Sequence, residues 1–452
     1  MRARAILAAS VLALSCVLLA ARGAPPTRSA SPDLLYTATS YYDLLAWIHG
    51  GDRFPIDASI MRYGGQTAAA LVPSFAASAD PEISFSGDRV LFAGKQSAQD
   101  RWQIWEIVLE SGAMRQLTSC ADGCIRPLYL PEDRFVYAER VDGQFALQVA
   151  PLAGGKSSRL TFAPGNHVAT NILRDGRILF EASYPTSDSN SAELYTVYSD
   201  GSGVESYRCD HAQSRHSGRQ LSSGDVLFAT AHGLGRFTSG LAQQIAVSAP
   251  SGEYAGDIAE QGSGDWLMAR RRNSQAKFRL ESWGPGTHDP KVLIAEDSLN
   301  LIQPVLVQPR GVPNRHPSAL HDWDYANLLC LNSYTSKYKF ADQSVATVRV
   351  YTHNADGSER LLGTAPVETD GSFYIRTPAD QPLKIELLDP SGKSLKKEAG
   401  WFWLRRGEQR VCVGCHAGPE TAPENRTPAV LKRSTLPADL THPAAHEGKG
   451  GR

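Results

Sequence analysis

Five consecutive residues, Cys412-Val413-Gly414-Cys415-His416, carry the most specific chemistry in this sequence. Two thiols three positions apart can each add across one vinyl group of a haem, and the imidazole that follows then reaches the iron from below. The spacing matters because two thioethers fix one edge of the porphyrin and bring the next residue under the metal. The residues after Gly23 hold six cysteines and 12 histidines, so about 0.002 such runs are expected by chance. Three other readings compete. A structural zinc needs about four ligands, and only one clean pair is present. A redox Cys-x-x-Cys needs a βαβ setting, and none surrounds it. A plain structural disulfide is the third. The favoured reading is one covalent haem c, attached through Cys412 and Cys415, with His416 on the iron.

A second axial ligand would decide the chemistry, since a vacant face favours small molecules and two strong ligands favour electron transfer. The candidates are His316, His321 and His353, with Tyr334 and Tyr338 as oxygen alternatives. Each is weighed against an ordinary packing or surface role. Arg405-Arg406 and Lys432-Arg433 flank the motif and match haem propionates, or else form solvated charged turns. The proline-bearing stretch 418–426 wraps the porphyrin or caps the domain. Among the remaining cysteines, Cys120 and Cys124 bracket a tight turn and are expected to close a small disulfide loop. Nothing in the spacing settles how Cys209 and Cys330 pair. No Ser-His-Asp elbow, phosphate-binding glycine loop or metal triad is visible.

The elements that must hold this motif are β-rich. Residues 81–118 read as a strand, a polar turn, a second strand and a closing turn, and the pattern returns at 127–161, 173–203 and 221–228. Weaker copies stand at 264–268 and at 303–307 with 327–331. The aspartates Asp88, Asp133, Asp175 and Asp225 mark spacings of 45, 42 and 50 residues. A period of that size with about four strands per unit predicts a β-propeller, because no unit can bury its own faces. Residues 34–70 are expected to close the ring. From Asp342, alternating strands separated by Asp-Gly and Pro-Ser-Gly turns predict a small Greek-key β-sandwich. An unrelated all-β sandwich throughout is the alternative.

Arg2 and Arg4, the apolar run 5–21 and the small residues before Pro25 have the layout of a secretory signal cut after Gly23. A lipid anchor at Cys16 is the alternative, and an uncleaved anchor ranks below it because the run is short of the ~20 residues a span needs. No later segment is apolar enough to cross a bilayer. The formal net charge is −1, and losing Arg2, Arg4 and Arg22 would bring it to −4. Such a chain has no basic field for nucleic acid.

The blade wording resembles periplasmic propeller repeats of the TolB type. The runs Leu329-Cys330-Leu331-Asn332, Gly363-Thr364-Ala365-Pro366-Val367, Asp370-Gly371-Ser372-Phe373, Pro378-Ala379-Asp380 and Cys412-Val413-Gly414-Cys415-His416 resemble the haem-bearing middle domain of the hydrazine synthase alpha subunit family. The resemblance covers about residues 35–435. It implies a six-bladed propeller ahead of the haem domain, and a haem whose axial ligation departs from the usual pattern. The family continues into a domain with a second haem, whereas this sequence holds one Cys-x-x-Cys-His, so hydrazine synthesis is not implied. A broader group of exported propeller–haem proteins is the better likeness.

The expected organisation is therefore all-β: a signal peptide at 1–23, a six-bladed β-propeller at 34–340, a β-sandwich carrying a c-type haem loop at 342–433 and a loose tail at 434–452. The expected protein is a periplasmic or secreted mono-haem cytochrome. It would serve electron transfer, or act as the haem subunit of an oxidoreductase with a periplasmic redox partner. The alternative is a propeller that grips a partner protein, with the haem secondary or absent.

Overall fold

The computed structural model describes residues 32–55, 57–183, 191–208, 214–240, 242–336, 341, 344–354, 357–414 and 425–442. The expected signal 1–23, Cys16, Cys209, Tyr338, Cys415, His416 and the last ten residues lie outside them.

From Asp33 to Leu306 the described chain forms six four-stranded antiparallel sheets. Their innermost strands are Ala77–Ile83, Cys124–Leu130, Asn166–Ile172, His216–Gln220, Glu253–Glu260 and Asn300–Leu306. Each of these touches the next, and the last touches the first, so the sheets close a ring around an axis. Asn300–Leu306 pairs with Asp33–Thr39, which pairs in turn with Ser59–Gly64, so the ring is shut by strands from both ends of the propeller sequence. Inner strands are crowded by neighbours on both faces, and three of them are buried at every residue. The outermost strands, such as Met114–Gln116 and Ser158–Arg159, are short and exposed, which leaves little edge for unwanted pairing. The repeated Asp sits in the turn before the second strand. Gly87, Gly176 and Gly224 supply the positive φ there (81°, 88° and 97°), and one copy manages with Glu132 and Asp133 at 65° and 51°.

A second unit packs two four-stranded sheets face to face. One holds Tyr325–Cys330, Phe373–Pro378, Gln409–Cys412 and Ala438–Asp439. The other holds Thr347–His353, Glu359–Pro366, Lys384–Leu388 and Ser394–Lys397. Leu328, Val348, Val350, Phe373 and Ile375 are buried between them. The segment 327–331, read from its sequence as part of the sixth repeat, belongs here instead. Ala326, Leu328 and Cys330 alternate inward, and an alternating strand alone does not say which sheet receives it. The sandwich is not purely antiparallel: Gln409–Cys412 runs parallel to Tyr325–Cys330, and Ala438–Asp439 parallel to Phe373–Pro378.

Residues 307–316 cross from the ring toward the sandwich over the propeller loops. Arg310 lies on Phe85 and pairs with Glu82, the Asn314 amide donates to the Arg174 carbonyl, and His316 stacks on Tyr198. The sandwich then docks through Trp403, whose indole N–H donates to the Gly201 carbonyl at 3.0 Å and whose rings join the propeller core beside Phe162 and His167.

Candidate cofactor-attachment site

Gln409–Cys412, the strand that leads into the Cys-x-x-Cys-His run, lies at a sheet edge. It is held by its parallel partner, by the Asn327 amide on Gln409 (2.9 Å) and by the Leu331 amide donating to the Cys412 carbonyl (2.9 Å). In this register Cys412 stands opposite Cys330, which is fully buried, while Cys412 itself is half-buried. The lead-in is also tied to the propeller, because Arg410 pairs with Glu408 and donates to the Val204 carbonyl.

Beyond Cys412 the chain presses onto the turn 332–335. A Cβ added at Gly414 would overlap the Thr335 carbonyl oxygen and come within 2.7 Å of the Asn332 carbonyl oxygen. Only glycine fits that approach. The turn is built by Asn332, whose side-chain oxygen accepts from the Tyr334 amide and whose carbonyl accepts from the Thr335 amide. Within it the Ser333 hydroxyl is fully buried with no hydrogen-bond partner among the described residues. The chain is fixed again on the far side of 415–424. The short helix Ala429–Arg433 sits on Asp370 and Ser372, which accept from the amides of Ala429 (2.8 Å) and Val430 (3.0 Å). Partial burial works against the charge on Asp370, but hydrogen bonds from the Ser372 hydroxyl and the Ala429 and Ser372 amides outweigh it, so the carboxyl is held below its usual range.

The chain is thus fixed at Gly414 and again at Ala429, on either side of 415–424, and Cys415 and His416 lie outside the described residues. The candidate far-side histidines stand in three separate aromatic contacts. His316 is on Tyr198 (3.6 Å between centroids), His321 on Trp323 (4.6 Å) and His353 edge-on to Trp401 (5.4 Å). The Tyr334 hydroxyl accepts from the Val345 amide. Arg405 donates to the Arg159 carbonyl and faces Asp380, Arg406 reaches Asp322 and Asp380, and Arg433 pairs with Glu368. Cys120 and Cys124 are disulfide-bonded, with Cα atoms 6.0 Å apart. Among the described residues no group of three or more His, Cys, Asp or Glu side chains could hold a metal ion, and no helix is long and apolar enough to cross a membrane.

Sequence reading missed Gly414's contact with 332–335, the Asp370 clamp and the neighbourhood of Cys330 and Cys412. From sequence the Asp-Gly-Ser run at 370–372 reads as a turn. Its spacing is that of an Asx turn, which leaves a carboxylate oxygen for a second segment.

The class is now defined: a β-propeller joined to a β-sandwich whose edge strand runs into a Cys-x-x-Cys-His segment. Residues 332–417 match the family model described as hydrazine synthase alpha subunit middle domain. The hydrazine synthase subunit alpha of Kuenenia stuttgartiensis is 36% identical over 58 residues, which span 13% of this chain and 7% of that protein. The solved hydrazine synthase of Kuenenia stuttgartiensis superposes with a TM-score of 0.77 at 14% identity, covering 89% of this chain and 72% of that one. TolB from Acinetobacter baumannii aligns over 61% of this chain and 66% of its own at 11% identity and a TM-score of 0.44. The chain is hydrazine synthase alpha-like in its middle-domain sequence and in its fold.

Proposed function

We propose that this chain is an exported mono-haem c-type protein that moves electrons, either as a carrier or as the haem subunit of a larger oxidoreductase. The observation that carries the reading is the pair of anchors around the motif. Gly414, within the motif and the matched region, is seated on 332–335, and beyond 415–424 the amides of Ala429 and Val430 are bonded to Asp370 and Ser372. A backbone already fixed at Cys412 and Gly414 lowers the ordering cost of attachment. Cys412 and Cys415 would each form a carbon–sulfur bond by adding S–H across a vinyl group, and His416 would supply the imidazole. A haem held there supplies one-electron exchange at iron.

The residues fit the group by donor chemistry, and the buried, unpartnered Ser333 hydroxyl marks polar capacity beside the anchors that no described residue uses. The disulfide Cys120–Cys124 supports an oxidising compartment, and so supports export. A partner protein supplies or takes the electrons. Hydrazine synthesis itself is left with the relative, 7% of whose length is matched in sequence.

Protein made in a host with a working haem-ligation apparatus tests this by intact mass. A gain of one haem, lost in Cys412→Ser with Cys415→Ser, is the expected result. The bare polypeptide mass would refute it and leave the propeller as a binding module. Carbon monoxide and imidazole titrations then separate the roles: indifference to both marks a carrier, and binding marks a haem open to small molecules.

A further inference from the structure

All six inner strands of the ring contribute to a cavity of about 30 Å³ on the propeller axis, with Asp80, Arg126, Thr170, Arg219, Asp257 and Gln303 in its wall. By the volume one water needs, it has room for about two water-sized centres. Its construction is unusual for a filler space. Five of the inner strands carry a non-glycine residue in the left-handed region: Asp80 (φ 58°), Arg126 (55°), Ser217 (55°), Asp257 (51°) and Gln303 (56°). All five lie within a break in the pairing register of their own strand. Bulges re-aim side chains, and such backbone is costly enough to persist only where the surroundings fix it.

The charges around the cavity do not cancel by pairs. Arg53 is paired with Asp80, Arg126 with both oxygens of Asp257 at 2.8 Å, and Arg310 with Glu82. Gln303 is spent on Asp80 and Thr37. Arg219 makes no ion pair and no side-chain hydrogen bond among the described residues. Two more donors are left over nearby: the Nε–H of Arg126, a residue only 9% exposed, and the Tyr42 hydroxyl, buried among Arg53, Arg126, Asp80 and Asp257. Glu181 is the remaining carboxyl facing Arg126. It accepts the Ser217 amide, and burial pushes it up to about 7, so below that pH it does not neutralise the excess. Arg219 is only half-buried in the cavity wall, whereas the Arg126 Nε–H and the Tyr42 hydroxyl are shut away from solvent, and such leftover donors require an acceptor.

We infer that this axial cavity binds a small monovalent anion of halide size, with Arg219 as its principal ligand and the Arg126 Nε–H as a second donor. The site is independent of the haem motif.

Crystals of the whole protein soaked in sodium bromide at pH 6 give a direct answer. The expected result is an anomalous peak within hydrogen-bond reach of the Arg219 guanidinium. A cavity holding only water under saturating bromide overturns the assignment. In solution, melting in sodium bromide is compared with sodium gluconate at equal ionic strength. The wild type should gain Tm with the logarithm of bromide concentration, and Arg219→Met should lose that gain. Equal melting of the wild type in both salts also overturns it. Should Arg219→Met not fold, the soak and the wild-type salt comparison still decide.

Discussion

At the residue scale the most exacting position is Gly414. The second variable position of a Cys-x-x-Cys-His run has no chemical duty of its own, yet here a methyl group would strike the Thr335 and Asn332 carbonyls. Backbone atoms of a hydrogen-bonded turn yield little, so Gly414→Ala should displace the segment that follows. Haem per chain, read as the Soret-to-280 nm ratio, is expected to fall several-fold, while Val413→Ala leaves it unchanged; equal ratios would show that the seat does not guide attachment. Buried histidines set a second residue-scale outcome. Burial, aided by Arg159, lowers His167 to about 3, and burial with Arg126, against Asp257, lowers His216 to about 4. In the unfolded chain both charge near 6.5, so between these values the unfolded state binds more protons. Their contribution is complete above pH 6.5 and is lost as pH falls toward the folded values. Glu181 runs the other way: raised from 4.5 to about 7, it contributes below 4.5 and that contribution is lost as pH rises to 7. Two imidazole shifts outweigh one carboxyl shift at ~1.4 kcal/mol per unit. Urea midpoints should therefore drop between pH 7 and pH 4, more steeply in Glu181→Gln and less steeply in His167→Asn. A midpoint independent of pH would contradict the buried neutral imidazoles.

At the scale of elements, the sandwich is fastened to the ring by Trp403, with Arg405 on the Arg159 carbonyl and Arg410 on the Val204 carbonyl beside it. Trp403 is 1% exposed, its indole N–H is satisfied by Gly201, and Phe162 and His167 surround it. Trp403→Ala should cost about 3–5 kcal/mol and free the linker, so that protease cleavage within 307–324 becomes fast; unchanged cleavage would mean that Arg405 and Arg410 suffice. The helix Ala429–Arg433 depends on Asp370 in the same local way. It is too short to stand alone, and Asp370→Ala should cost about 1–2 kcal/mol, visible as faster amide exchange at Ala429 and Val430. These elements also show what the sequence made legible. Period and turn chemistry point to the ring because five of the six sheets meet the same requirement, a positive φ before the second strand, with Gly87, Asp133, Gly176, Gly224 or Gly264. The closing role of residues 34–70 followed from the need to leave no edge. The placement of 327–331 did not follow, because inward alternation of Ala326, Leu328 and Cys330 suits either unit and only long-range pairing chooses. Nor did the parallel pairing that brings Cys412 beside Cys330. The motif itself was readable to the residue, while its supports were not, since a carboxylate that clamps a helix 59 residues away leaves no local pattern.

At the scale of the whole molecule, the two units have their own interiors, apart from Trp401 and Trp403, which join the core of the ring. The ring is closed by non-covalent pairing of Asp33–Thr39 with Asn300–Leu306, and Leu35 is wholly buried there beside Ile60, Val90, Phe92 and Val305. A carboxylate at that position has no partner and cannot stay ionised without large cost, so Leu35→Asp should remove several kcal/mol and open the ring. The sandwich core of Leu328, Val348, Phe373, Ile375 and Leu387 contains no propeller residue. The supports of the motif are likewise internal to the sandwich: the turn 332–335, Asp370 and Ser372, with Arg410 on Val204 as the link to the ring. Attachment should therefore outlast the loss of the propeller. In Leu35→Asp, melting should lose its main transition, while a protease-resistant fragment spanning about residues 325–442 keeps the added haem mass. If that fragment is degraded or emerges without haem, the ring is needed to assemble the site, and the docking through Trp403 and Arg410 is then part of the attachment frame itself.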